Sequence, residues 1–263
     1  MVKNMSLTML YYYNLKEIIK KLPPNVSQTM DLSDDNVFNY ATFSDLGSFY
    51  RPGLFRKDKY RLDIKLKDEN FYNFIYETLV KFMKMANANE LLLIYAMIAH
   101  HILEDEIQKY LSSRITVKDT YKRLTARIDR YYTKIFDDVD LSKKSIYSMF
   151  PNGFTYTKEM NEVISHPFIK IYSFLNTNNY FTNAMKAKKR HYKHKLYPKR
   201  LNLEVLNLDN KPWLFGEETY NYSLNEVILN AREKAFSQIK IINSYLFDKK
   251  DKEFNELFNI TKE

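Results

Sequence analysis

A long apolar run that ends in a polar stripe is the feature that most constrains the fold of this chain. The run covers residues 91–103 and overlaps the segment AHHILEDEIQKY, residues 99–110. Residues four apart share one face of an α-helix, so His100, Glu104 and Gln108 form a polar stripe on an otherwise apolar element. A histidine and a carboxylate one turn apart can bind a metal ion, whereas glutamine is a poor zinc ligand. The segment therefore predicts a buried helix with a metal site that has lost one ligand.

Helical periodicity continues through the rest of the chain. Apolar residues recur at spacings of three and four in residues 71–82, 121–135 and 224–246. Ser223, followed three residues later by Glu226, predicts a capping box at the start of the last of these helices. The four glycines and seven prolines offer few turn signals, and no stretch alternates strongly enough to predict a strand. We predict an all-α fold with a single multi-helix domain over residues 1–263.

Composition narrows the class of protein further. A hydrophobic content of 45% excludes general disorder, and the absence of cysteine excludes a disulfide framework and a thiolate metal site. The longest apolar run is shorter than the ~20 residues that a membrane-spanning helix needs. The N-terminus has neither a signal-peptide core nor a small-residue cleavage site. These features predict a soluble, cytoplasmic protein.

The formal net charge of +9 is the main indication about partners. Much of it comes from a basic patch made of Lys186, Lys188, Lys189, Arg190, Lys193, Lys195, Lys199 and Arg200. Such a patch is able to contact nucleic acid or anionic lipid headgroups, and Tyr192 and Tyr197 interleave aromatic groups with the cations. The run contains no recognisable nucleic-acid-binding motif. The alternative is a solvated helix end, with residues 186–216 forming a basic, loop-rich connection before the C-terminal helix.

Four blocks between residues 40 and 235 resemble, in order, the zinc-dependent phospholipase C family. The first, YATFSDLGSFY at 40–50, is similar to a family loop in which a Gly-Pro-Asp triplet offers a metal carboxylate. The second, at 99–110, is similar to a helix with His, Leu-Asp and then His-Pro-Tyr. The third, TYKRLTARID at 120–129, resembles an acidic turn followed by Ile-Asp. The fourth, at 207–224, is similar to the family's Asn-Leu, Pro-Trp, Gly-Glu and Ser-Phe series.

The resemblance implies a phospholipase C-like helical fold and a reaction in which zinc-bound water attacks a phosphodiester. Matching the blocks to the family's ligands leaves three retained candidate metal-site positions: Asp45, His100 and Glu104. Three further ligand positions hold substitutes: Lys67, Gln108 and Thr125. A lysine ammonium has no lone pair for a metal, and each zinc ion needs about four donors. The set is therefore too incomplete for a zinc cluster and could support at most one weakly held ion.

These observations favour a catalytically degenerate phospholipase C-like protein, a pseudoenzyme without a cofactor that acts as a binding or interaction module. Lys67 would then pair with Asp45 or Glu104 and replace the charge that zinc once supplied. In such a protein the six matched positions should converge, with the polar stripe facing the Asp45 loop. The alternatives for single residues are a hydrogen-bonded core histidine at His100 and a simple turn residue at Asp45.

Two other functions stay open. The first is an active metal-dependent phosphodiester hydrolase acting on phospholipid, with zinc held by Asp45, His100 and Glu104. The second is a basic nucleic-acid-binding protein that uses the cluster between residues 186 and 200. Its affinity should fall steeply with salt, because binding to phosphates releases counterions.

Overall fold

Helices account for most of the residues that the computed structural model describes, which are 7–49, 70–85, 88–116, 120–173, 175–197, 199, 203, 206–208, 213–215, 218–220, 223–249 and 251–260. In chain order they are α1 Thr8–Ile19, α2 Pro24–Ser27, α3 Asp34–Ala41, α4 Leu46–Phe49, α5 Phe71–Met85, α6 Ala88–Ser112, α7 Tyr121–Asp137, α8 Ile146–Met149, α9 Lys158–Tyr172, α10 Thr177–His194, α11 Leu224–Asp248 and α12 Lys252–Leu257. A 3₁₀ turn, Phe43–Asp45, joins α3 to α4. The prediction of an all-α fold is confirmed, because the described residues form a mainly helical body.

A short hairpin is the exception to the helical architecture. Strands β1 Trp213–Phe215 and β2 Glu218–Tyr220 pair antiparallel, where the sequence predicted a loop. Strands of three residues are too short to show the alternation on which strand prediction depends.

Helix α6 lies at the centre of the core. Each residue from Leu91 to His100 is at most 3% exposed, and helices α1, α3, α5 and α11 pack around this helix. Because neighbours cover it on several sides, it is apolar nearly all round rather than along one stripe. Within the described ranges, no helix is long and apolar enough to cross a bilayer.

Helix α11 begins with the predicted capping box. The Ser223 hydroxyl accepts a hydrogen bond from the Glu226 backbone N–H at 3.2 Å, and the Glu226 carboxylate accepts one from the Ser223 N–H at 2.8 Å. Two otherwise unsatisfied donors of the first turn are thereby bonded. The buried face of α11 includes Ala231 and Ala235, whose small side chains allow the helix to approach α6 closely.

The predicted loop-rich connection at 186–216 is wrong over its first part, because α10 continues to His194. Its inner face is formed by Ala184, Lys188 and Tyr192, which are spaced four apart and are all buried. A lysine in the middle of that face interrupts the apolar pattern. For this reason the sequence pattern indicated a solvated helix end followed by a loop instead of a continuous helix.

Helix α1 is anchored at its N-terminus by Asp129 of α7. One carboxylate oxygen accepts hydrogen bonds from the backbone N–H groups of Met9 and Leu10, at 3.0 and 3.1 Å. The other accepts the Tyr197 hydroxyl at 3.0 Å. Burial raises the pKa of Asp129, and the neighbouring Lys195 cation and these hydrogen bonds oppose the rise. One buried side chain thus joins α1, α7 and the segment that follows α10.

Candidate functional site

Asp45 and His100 lie together beneath the surface. His100 Nε2 is 3.6 Å from Asp45 Oδ1, and the two residues are 3% and 6% exposed. His100 Nδ1 lies 3.3 Å from the Ala41 carbonyl oxygen, and the His100 ring packs on that of Tyr11 with centroids 3.8 Å apart. These contacts hold the turn after α3 against α6.

Glu104 lies one turn further along α6 and is also buried. The Tyr121 hydroxyl, at the start of α7, donates a hydrogen bond of 3.4 Å to Glu104 Oε1. Burial raises the pKa of Glu104 to about 7, and the bond from Tyr121 opposes that rise. Burial also raises the pKa of Tyr121, with further contributions from the negative charges of Glu104 and Asp45. Tyr121 therefore contacts Glu104 directly and is influenced by Asp45 only through its charge.

Lys188 of α10 places its amine at Thr42, which immediately precedes the 3₁₀ turn that contains Asp45. It is fully buried, and its Nζ donates to the Thr42 carbonyl oxygen at 2.9 Å and to the Thr42 hydroxyl. Burial lowers the pKa of Lys188 to about 7, and the charge of Asp45 opposes the decrease. The amine lies at the C-terminal end of α3, where carbonyl groups favour a cation. The prediction that Lys188 belongs to an exposed basic patch is therefore wrong.

Of the three substituted ligand positions, the two that the structure describes do not join this cluster. Gln108 is exposed, so the expectation that it faces the Asp45 loop is wrong. Two steps of four residues turn a helix by about 80°, which is enough to bring the third member of a stripe to the surface. Thr125 is buried on α7, and its hydroxyl donates to the Lys122 carbonyl oxygen of the same helix at 3.2 Å. Lys67 lies outside the described residues.

The donor set does not fit a zinc cluster. Among the residues that the structure describes, no group of three His, Asp or Glu side chains is arranged to hold a metal ion. Lys188 places a potential positive charge near Asp45, where a metal would need negative donors. The chemistry that Asp45, His100 and Glu104 support is hydrogen bonding and charge compensation in the core.

A groove of about 400 Å³ lies elsewhere, between the α1–α2 connection and α11. Lys21, Phe236, Lys240 and Phe247 are among its lining residues. None of the retained metal-site candidates lines this groove, so it gives no access to them.

The exposed part of the predicted patch is a stripe on α10, the basic face: Lys186, Lys189, Arg190 and Lys193. These four residues follow the i, i+3, i+4, i+7 spacing of a single helix face. Lys199 is also exposed, Lys195 is largely buried between the Tyr192 and Tyr197 rings, and Arg200 lies outside the described residues. Both tyrosines are at most 3% exposed, so the expected aromatic groups are not on the surface.

The chain matches no known family model, no curated protein and no solved structure. The resemblance to the zinc-dependent phospholipase C family therefore rests on the four sequence blocks and stays a prediction.

Proposed function

We propose that this protein is a catalytically degenerate phospholipase C-like protein that acts by binding rather than by turnover. The observation that carries the proposal is the buried amine of Lys188, which donates to Thr42 and is influenced electrostatically by Asp45. In a metal-dependent hydrolase this region would need several anionic or imidazole donors around a cation. Here a buried lysine amine of the protein itself occupies part of this region.

Charge balance explains why a lysine is tolerated at this position. Asp45 Oδ2 is buried and has no hydrogen-bond partner among the described residues. A buried carboxylate is costly unless a nearby group compensates its charge. The charge of Asp45 raises the pKa of Lys188 against the effect of burial, and two acceptors of Thr42 hold the amine. This is the role that the sequence assigned to Lys67.

Burial supports the same conclusion. Asp45, His100 and Glu104 are each at most 6% exposed. A reacting phosphodiester would have to lie within hydrogen-bond reach of these groups. The Tyr11 ring covers His100, and Tyr121 covers Glu104, so the cluster is organised as packed core.

Zinc content and turnover test the proposal directly. We expect the chain, purified without chelator, to carry substoichiometric zinc and to leave a chromogenic phosphodiester intact when zinc or manganese is added. A His100→Ala variant prepared in parallel sets the background rate. Stoichiometric zinc, or turnover that both a chelator and His100→Ala abolish, would overturn the proposal in favour of the active hydrolase.

A pair of adjacent substitutions tests the role of Lys188. Replacing Lys188 with Met should lower the free energy of unfolding by about 2 kcal/mol, because Asp45 loses its compensating charge and Thr42 loses a donor. Lys189, the next residue, is exposed, and Lys189→Met should change stability by less than about 0.5 kcal/mol. Urea unfolding at neutral pH measures both.

A double-mutant cycle separates charge compensation from packing. Combining Lys188→Met with Asp45→Asn removes both ionisable groups. The double variant should therefore lose less free energy of unfolding than the two single variants together, by about 1 kcal/mol or more. Strictly additive losses would show that Lys188 does not compensate Asp45.

A further inference from the structure

The basic face of α10 carries four cations that are not paired with any carboxylate of the described residues. The cause lies in the sequence, because no Asp or Glu occurs between Glu162 and Glu204. Clustered like charges raise the local potential and attract a polyanion.

Two further exposed lysines lie in the connection that precedes α8, the helix next to the basic face. The Lys189 amine lies 5.4 Å from the centroid of the Tyr147 ring, which places α8 beside the basic face. The residues before α8 include Lys143 and Lys144, and both are exposed. The same connection also contains Asp138 and Asp140, which are paired with Lys134 and Arg130 of α7.

Exposed aliphatic side chains flank the same helix. Leu196 is 55% exposed two residues after α10 ends, and Leu175 is 80% exposed two residues before it begins. Cations combined with exposed aliphatic groups are typical of surfaces that lie on a bilayer. Single-stranded nucleic acid instead favours exposed aromatic rings, and the Tyr192 and Tyr197 rings are buried.

We propose that α10 docks this protein on the surface of an anionic phospholipid bilayer. The basic face contacts the headgroups, and Leu196 enters the boundary between headgroups and acyl chains. Attraction of this kind adds with each cation and weakens with salt. This inference rests on the proposed binding function and identifies the bilayer as the partner. The basic face contains no residue of the cluster around Asp45 and His100.

Vesicle co-sedimentation of the full chain tests this proposal. We expect binding to phosphatidylcholine vesicles that contain phosphatidylserine, no binding to phosphatidylcholine alone, and loss of binding at high salt. The double variant Lys189→Gln with Arg190→Gln should lower the partition coefficient at least about tenfold. Lys240→Gln with Lys252→Gln removes the same charge from exposed positions on α11 and α12 and should leave binding unchanged.

A leucine variant and duplex DNA distinguish a bilayer from a nucleic acid. Leu196→Ser should weaken vesicle binding about fivefold, since it removes most of a partly inserted apolar side chain. Equal loss in the two double variants, or binding to DNA without binding to vesicles, would overturn the docking proposal. Release of the phosphorylated headgroup, measured in the same vesicle samples, reports separately on turnover. The docking proposal and the proposed function are therefore tested by different measurements.

Discussion

Replacing Asp129 with alanine is expected to lower the free energy of unfolding by about 3–5 kcal/mol, a very large effect for one substitution. The carboxylate accepts two backbone N–H groups at the start of α1, and these donors have no partner within their own helix. It also accepts the Tyr197 hydroxyl and lies near the Lys195 cation. Removing it leaves several buried donors and one largely buried cation uncompensated.

Two matched variants identify the cause of that loss. Asp129→Asn keeps the volume and one oxygen acceptor, so it should cost less than the alanine variant. Asp105→Ala removes an exposed carboxylate whose partner is Lys109 one turn away, and should cost less than about 0.5 kcal/mol. Urea unfolding of the three proteins provides the measurement. A loss below about 1 kcal/mol in Asp129→Ala would show that α1 is held mainly by apolar packing.

Local patterns in the sequence were sufficient to predict the helical architecture. The run at 91–103 is apolar over more than three helical turns, and Ser223 with Glu226 forms a capping motif within four residues. Both patterns lie within a short stretch of sequence, so they can be recognised without knowing how distant segments pack. The end of α10 was missed because its inner face contains Lys188, and residue type alone does not distinguish a buried lysine from its exposed neighbours.

The candidate site was only partly predictable for a related reason. The blocks that contain Asp45 and His100 suggested that these two residues approach each other, and they do. Lys188 was assigned to the surface because its acceptor, Thr42, lies 146 residues away in the sequence. Tyr121 and Tyr11 were not singled out either, since their roles depend on how α7 and α1 pack against α6. Long-range packing decides such contacts, and no local spacing encodes them.

Glu104 should make the stability of this protein depend on pH between about 4.5 and 7. Its pKa is about 7 in the folded chain and near 4.5 when exposed, so the folded state binds more protons within this window. Stability from this group is therefore lost as the pH rises, and the change levels off above the folded pKa. At 1.36 kcal/mol for each pKa unit, the loss between pH 5 and 7.5 is about 2–3 kcal/mol.

The Glu104→Gln variant removes this ionisation while keeping the shape of the side chain. Its stability relative to the native chain should rise by about 2–3 kcal/mol from pH 5 to pH 7.5, as measured by urea unfolding at each pH. Asp105→Asn, at the exposed neighbouring position, should show no such change. Parallel profiles for the native chain and Glu104→Gln would refute the prediction.

The same experiment bears on the proposed function, because a carboxyl group binds metal as the anion. Zinc bound through Glu104 would favour the ionised form and bring its pKa back below neutral. The pH dependence would then disappear when zinc is added and return with a chelator. A profile unchanged by zinc is the result that the proposed function predicts.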